Sequence, residues 1–168
     1  MKQVVLVTGA ASGLGNVIAE YFASQGHQVI LSASTLEKAE NAKAQSQYAQ
    51  NMFPLKLDIS VEADFHAAVQ WIEEKFSKLD VLINNAGYGE NGPVEETPMG
   101  NVYRQFDTNF FGAVALTQYF LPSMRTQQSG RIVNISSIGG DIYSPLGAFY
   151  HASKAALQQW SDTLDLEV

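Results

Sequence analysis

An α/β fold with a parallel, doubly wound sheet in three α/β/α layers is predicted by three observations. Short runs rich in β-branched residues alternate with segments of helical periodicity along the 168-residue chain. The first run, Gln3-Val4-Val5-Leu6-Val7, is continuously apolar, as in a strand covered on both faces. It leads straight into a glycine-rich turn and then a helix.

Each later element follows from local pattern. Gly26 closes the first helix, and Gln28 to Ser32 reads as a second strand. Leu36 to Gln47, rich in Ala, Glu and Lys, reads as a surface helix. Phe53 to Leu57 is a third strand ending at Asp58. Ser60 is the expected cap of the next helix, with Asp64 near its first turn and apolar residues at 65, 68, 69, 72 and 76. Leu79 to Ile83 is a fourth strand, and Pro98 opens a long helical pattern to about Arg125. Arg131 to Ser136 is a fifth strand, and Phe149 to Glu167 a last helix. The length suits one domain, 1–168, with neither repeat nor linker.

Composition narrows the function. A net charge of −7 argues against nucleic acid or an anionic membrane as partner, since both call for a basic surface. With no Cys there is no disulfide framework and no thiolate chemistry. No apolar run approaches the ~20 residues of a membrane helix. These features lead to the expectation of a soluble, cytoplasmic protein. Three scattered His residues offer no metal-ligand spacing.

Two motifs carry chemistry. Thr8-Gly9-Ala10-Ala11-Ser12-Gly13-Leu14-Gly15 lies between the first strand and helix. Its glycines permit a tight turn and close approach of backbone to phosphate, and the helix N-terminus offers free N–H groups. The spacing is T-G-x-x-x-G-x-G, longer than the G-x-G-x-x-G fingerprint. The second motif is Tyr150 and Lys154, four residues apart, with Ser137 thirteen residues before Tyr150 and Asn109 further upstream. Four residues is one helical turn, so Tyr150 and Lys154 share a helix face. A phenol exchanges protons poorly near neutral pH, its ordinary pKa being ~10, and a neighbouring ammonium favours the phenolate. Ser137 can donate to the oxygen that exchanges its proton with Tyr150. Beside a nucleotide fold, this set points to carbonyl–alcohol chemistry. His151, one step along the helix, points about 100° away and is given no catalytic role.

Taken together, Thr8 to Gly15, Asp58, Asn84-Asn85-Ala86-Gly87, Asn109, Ser136-Ser137 and Tyr150 to Lys154 resemble the short-chain dehydrogenase/reductase family, single-domain Rossmann-type enzymes. Gly87-Tyr88-Gly89 and Tyr150-His151-Ala152-Ser153-Lys154 are most similar to its hydroxysteroid- and retinol-dehydrogenase-like branch. The resemblance implies that Tyr150 is general acid in reduction and base in oxidation. Lys154 would favour the phenolate and bind the nicotinamide ribose, and Ser137 would orient the carbonyl. Asn109 would sit at a helix irregularity and hold a water leading to Lys154. Gly9, Gly13, Leu14 and Gly15 would line the pyrophosphate. Asp58 and the Ile59 backbone would meet adenine, and Asn85, Ala86 and Gly87 the adenosine ribose.

The same resemblance bears on cofactor, partners and extent. Where NAD-dependent relatives place an acid, this chain reads Ser32-Ala33-Ser34-Thr35. The basic residues that many NADP-preferring relatives carry at the positions of Ser34 or Ser12 are absent too. Hydroxyls at Ser34 and Thr35, with Lys38 one turn on, favour NADP(H), with NAD(H) also compatible. Tyr88, Ile138, Ile142 and Tyr143 would border a cleft for a small apolar ketone or secondary alcohol. The helices after Pro98 and Phe149 would pair in a homo-oligomer. Relatives run to about 250 residues, adding a sixth strand, a Pro-Gly turn, a substrate lid and a seventh strand. Without them, the strand from Arg131 would be a sheet edge. Two alternatives to an active oxidoreductase stay open: a non-catalytic dinucleotide-binding module, and an inactive truncated fragment of such an enzyme.

Overall fold

The computed structural model describes residues 2–168. Five parallel strands form one sheet: β1 (Val4–Val7), β2 (Gln28–Ala33), β3 (Met52–Lys56), β4 (Val81–Asn84) and β5 (Arg131–Asn134), in the order β3-β2-β1-β4-β5. Among the described residues six α-helices accompany them: α1 (Gly13–Ser24), α2 (Leu36–Gln45), α3 (Glu62–Phe76), α4 (Met99–Phe106), α5 (Gly112–Gln127) and α6 (Ala148–Asp165). Among the described residues no helix is long and apolar enough to cross a membrane.

Period-two alternation divides each central strand between two cores. Val4 and Leu6 of β1, Ile30 of β2 and Leu82 of β4 join Phe65, Ala68 and Ile72 of α3 and Leu116 and Phe120 of α5. Val5 and Val7, Val29 and Leu31, and Val81 and Ile83 turn the other way, onto Ala19 and Ala23 of α1 and Ala39 and Ala42 of α2. Small residues at those helix positions bring α1 and α2 close to the sheet. Both faces being covered explains why β1 is apolar throughout. β3 forms one edge, so Pro54, which has no N–H to give a ladder, is tolerated there.

The strand and helix boundaries expected from sequence lie within three residues of those observed, and two features differ in kind. Ser60 does not cap α3. Its hydroxyl donates to Asp58 Oδ1 at 2.7 Å and its N–H to the same oxygen at 3.0 Å, a turn closed on a carboxylate. Val61 takes the cap position, and Asp64 reaches back to accept from the Asp58 N–H at 3.0 Å and Lys56 Nζ at 2.9 Å. Bonds to charged acceptors are strong, and they hold Ser60 in the turn ahead of the helix. Second, the pattern after Pro98 is not one helix. Pro98 itself is the cap rather than the first helical residue, and a π turn over Asp107–Phe111 separates α4 from α5.

Gly112 follows that turn and is buried. A methyl group there would overlap the Ile59 carbonyl oxygen and lie 2.9 Å from Ile59 Cβ. The absence of a side chain thus lets α5 lie directly on the loop after β3. Gly112→Ala should destabilise the fold by about 1–3 kcal/mol through overpacking, outweighing the ~1 kcal/mol that Ala gains over Gly in a helix interior. Urea unfolding measures the balance; a stabilised variant would mean that the loop yields freely.

Candidate active site

β1 pairs with β2 on one side and β4 on the other, so the chain leaves their carboxyl ends in opposite directions. A crevice opens at such a switch point. Here the loops after β1 and β4 are bound together across it. Thr8 Oγ1 accepts from the N–H groups of Asn85 at 2.9 Å and Ala86 at 3.0 Å. Asn85 Nδ2 donates to the Thr8 carbonyl at 2.9 Å. Gly9, at φ +62°, passes so close that a methyl would sit 2.9 Å from Ala86 Cα. At Gly15 a methyl would overlap Asn85 Nδ2.

The resulting groove gathers Gly9, Ser12, Gly13, Leu14, Gly15, Ser34, Asp58, Ile59, Asn85, Ala86 and Gly87, which sequence reasoning placed at a dinucleotide. It also takes in Ala11, Ala33, Leu57 and Thr108. The first backbone bond of α1 runs from Asn16 N–H to Ser12 O at 3.2 Å. The preceding N–H groups therefore have no carbonyl within the helix, and no acidic side chain stands in its first turn. The Ser12 hydroxyl makes no capping bond either. These donors, with the helix dipole, suit a pyrophosphate. At the groove's other end Lys38 Nζ donates to Ser34 Oγ at 3.5 Å, and both residues line it. Thr35, expected to face the same phosphate, does not line the groove; its Oγ1 accepts from the Lys38 N–H at 3.4 Å and caps α2. The Asp58 carboxylate is held by Ser60, which fixes the groove wall.

Ser137, Tyr150, Lys154 and Asn109 converge beside the groove, at the carboxyl ends of β4 and β5. The Tyr150 ring stands between two loops. A methyl at Gly89 would lie 3.5 Å from its Cδ2, and one at Gly139 3.1 Å from its Cε1. Ser137 caps the short 3₁₀ turn Ile138–Gly140, where its Oγ accepts from the Gly139 N–H at 3.1 Å. That leaves the Ser137 hydroxyl hydrogen free to be donated. A methyl at Gly87 would lie 3.4 Å from Lys154 Nζ and 3.1 Å from Asn109 Oδ1, so both groups flank this groove residue.

Lys154 is buried, and its Nζ donates to the Ile135 carbonyl at 2.8 Å. Desolvation holds its pKa below the ordinary lysine value. Asn109, also buried, lies within the π turn, the irregularity that the resemblance implied. Its Oδ1 accepts from the Tyr88 N–H at 2.9 Å, and its Nδ2 donates to Tyr88 O at 2.9 Å and Ser153 Oγ at 3.0 Å. Gln105 Nε2 adds a second donor to Tyr88 O at 3.2 Å. Sequence reasoning missed Gln105, Ser153 and Thr8 as supports. Their only sequence signal is spacing: Gln105 lies four residues before Asn109, and Ser153 one before Lys154. Tyr88, Ile138, Ile142 and Tyr143 are exposed at this end, Tyr143 at 94 %.

Comparison with known proteins agrees with this geometry. The pattern of the family described as short chain dehydrogenase matches residues 3–168. The chain is 39% identical over 99% of its length to 3-ketodihydrosphingosine reductase of Bacteroides thetaiotaomicron, of which it covers 58%. It is 38% identical to dehydrogenase/reductase SDR family member 7B of Mus musculus, covering 98% of this chain and 53% of that one. A crystal structure of a short-chain dehydrogenase from Streptomyces avermitilis superposes with a TM-score of 0.93 at 36% identity, over 99% of this chain and 61% of that one. ElxO with NADP bound gives 0.86 at 33% identity, over 93% and 64%. The chain thus spans between half and two thirds of the length of each of these proteins. These likenesses, over nearly the whole chain, show that it belongs to the short-chain dehydrogenase family of NAD(P)-binding oxidoreductases.

Proposed function

We propose that this chain carries the nucleotide site and proton-exchanging residues of an NAD(P)(H)-dependent oxidoreductase that interconverts a carbonyl and a secondary alcohol. The observation that carries the reading is the convergence of Tyr150, Ser137 and Lys154 beside a groove built for a dinucleotide. When bound, the nicotinamide supplies or accepts the hydride. The chain's own residues move the proton. In reduction Tyr150 gives its phenolic hydrogen to the substrate oxygen, and in oxidation its phenolate takes that hydrogen back. Ser137 donates to the same oxygen and stabilises its developing charge. Lys154 places positive charge on the Gly87 side of the site. Asn109 holds Tyr88 and Ser153, and Ser153 Oγ in turn donates to Tyr150 O at 2.8 Å, which sets the first turn of α6.

NADP(H) is the preferred cofactor in this reading. Ser34 and Lys38 offer a hydroxyl and an ammonium where an acid would repel a 2′-phosphate, and ElxO is a relative with NADP bound. The exposed apolar residues around the mouth, Ile138 and Ile142 among them, support a small apolar ketone or secondary alcohol as substrate. Exposed Tyr103 and Phe111, next to α6 in the fold, support pairing of two copies through these helices.

Titration with NADPH and NADH, followed by a ketone screen, tests the function. Selective saturable binding with turnover is expected; binding without turnover would favour a non-catalytic binding module, and no binding would overturn the reading. Tyr150→Phe should lower turnover by at least about 10²-fold and leave nucleotide affinity unchanged, because it removes the proton and keeps the ring. Most activity surviving would remove Tyr150 from the proton path. Ser34→Asp should weaken NADPH binding by roughly tenfold or more while sparing NADH. Equal NADPH affinity would place the 2′-phosphate elsewhere.

Lys154 gives a test by pH. Its folded pKa lies below the ~10.4 of an unfolded lysine, so between the two values the unfolded chain binds more protons and stability rises with pH. Relative to Lys154→Met, the wild-type chain should therefore gain stability as pH climbs from neutral toward ~10.4. Urea unfolding of both chains across that range reads the difference, and a gap moving the other way would contradict the burial of the ammonium.

A further inference from the structure

His151 follows the proposed proton donor, yet the reaction described above gives it no task. Its ring centroid is 6.0 Å from that of Tyr150, at an interplanar angle of 63°, and the ring reaches into the turn that carries Ser137. Nδ1 lies 2.7 Å from the Gly139 carbonyl oxygen. A carbonyl only accepts, so Nδ1 bears the hydrogen. In the neutral ring Nε2 is then an acceptor, and the Ser144 hydroxyl donates to it at 2.9 Å. One half-buried imidazole thus ties two segments, Ile138–Gly140 and 144–147, to the first turn of α6.

The surroundings are shaped to this ring. A methyl at Gly139 would lie 2.8 Å from Nδ1, and one at Gly147 would overlap Nε2. Gly139 and Gly147 are both buried and have φ values open to other residues, so space for the imidazole is what their lack of a side chain provides. Gly139 is also the residue whose N–H donates to Ser137 Oγ at 3.1 Å and whose Cα borders the Tyr150 ring. A continuous path runs from the His151 N–H to the Gly139 carbonyl, and from the Gly139 N–H to the Ser137 oxygen.

We propose that His151 is a positioning residue that holds the Gly139 peptide, and through it orients Ser137 toward the substrate oxygen. With the Gly139 N–H on one lone pair, the Ser137 hydroxyl hydrogen is left to point away from the turn. The brace bears on the separation of Ser137 and Tyr150, because Gly139 is hydrogen-bonded to the first and a methyl on it would meet the ring of the second. It needs no particular charge on the ring, since the Nδ1 hydrogen is present in this neutral tautomer and in the protonated form alike. The effect on turnover rests on the oxidoreductase reading above; the brace itself does not.

Two variants separate the brace from mere bulk. His151→Asn keeps an amide donor near the Nδ1 position, and His151→Leu keeps volume without a donor. In ¹H–¹⁵N spectra the wild-type ring should be protonated at Nδ1, and the Gly139 amide should shift in His151→Leu and return in His151→Asn. With a ketone and NADPH, His151→Leu should lower kcat by roughly tenfold to a hundredfold, in line with sub-ångström misplacement of a reacting group, at unchanged NADPH affinity. His151→Asn should recover most of that loss. If His151→Leu does not fold, His151→Gln replaces it, because its amide reaches toward Ser144 rather than Gly139. An Nε2-protonated tautomer, or full kcat in a folded variant lacking the Nδ1 donor, would overturn the proposal. Should the wild-type chain reduce no ketone, the functional reading fails separately, and the tautomer and the Gly139 amide decide the brace.

Discussion

The close approach of the loops after β1 and β4 is the constraint on which the site depends. Thr8 Oγ1 receives two backbone N–H groups from the second loop, and the Asn85 amide returns a hydrogen bond to the first. Such proximity leaves no room for side chains at Gly9 or Gly15. These bonds join the two loops directly across the crevice floor. The free N–H groups at the start of α1 are left as the unsatisfied element. Selecting an anion there takes no charged side chain, which suits a chain as acidic as this one.

A second constraint is electrostatic. Burying an ammonium is costly unless it is hydrogen-bonded, and Lys154 gains a backbone carbonyl from Ile135. It remains beside Gly87, at the boundary between the nucleotide groove and the proton-exchanging residues. The π turn has a related origin. An extra residue in the helix swings Asn109 inward, where its amide meets both the N–H and the carbonyl of Tyr88. The loop after β4 is thereby held from one side by Thr8 and from the other by Asn109 and Gln105.

Much of this was legible in the sequence because it lies in backbone requirements. Glycines at fixed offsets and an apolar run give the switch point; Tyr150 and Lys154 at one helical turn give the proton exchanger. Every residue assigned to the dinucleotide, Thr35 and the helix-borne pair aside, lines one groove. What escaped depends on competition between partners. Ser60 looked like a cap, but a carboxylate two residues back binds both its N–H and its hydroxyl and keeps it in the turn before the helix. Thr35 looked like a phosphate donor, but it caps α2 outside the groove lining. One helical step separates the direction of His151 from that of Tyr150 by about 100°. The same step aims it at the next loop, a contact across twelve residues that no local pattern records.

The two halves of the site differ in how they are held. The nucleotide groove is made by backbone and short side chains of the segments that follow β1, β2, β3 and β4, bonded directly to one another. The proton-exchanging half stands on α6 and on the turn after β5, and its parts meet only through intermediaries: Ser153 for Asn109, Gly139 for Ser137, Ile135 for Lys154. A disturbance of α6 therefore reaches Ser137, Tyr150 and Lys154 together, while the groove has its own bonds across β1 and β4. In the proposed function, nucleotide binding and proton transfer thus rest on physically separate sets of bonds. The second is the more sensitive, because its reacting atoms tolerate less displacement than a phosphate in a cradle of N–H groups.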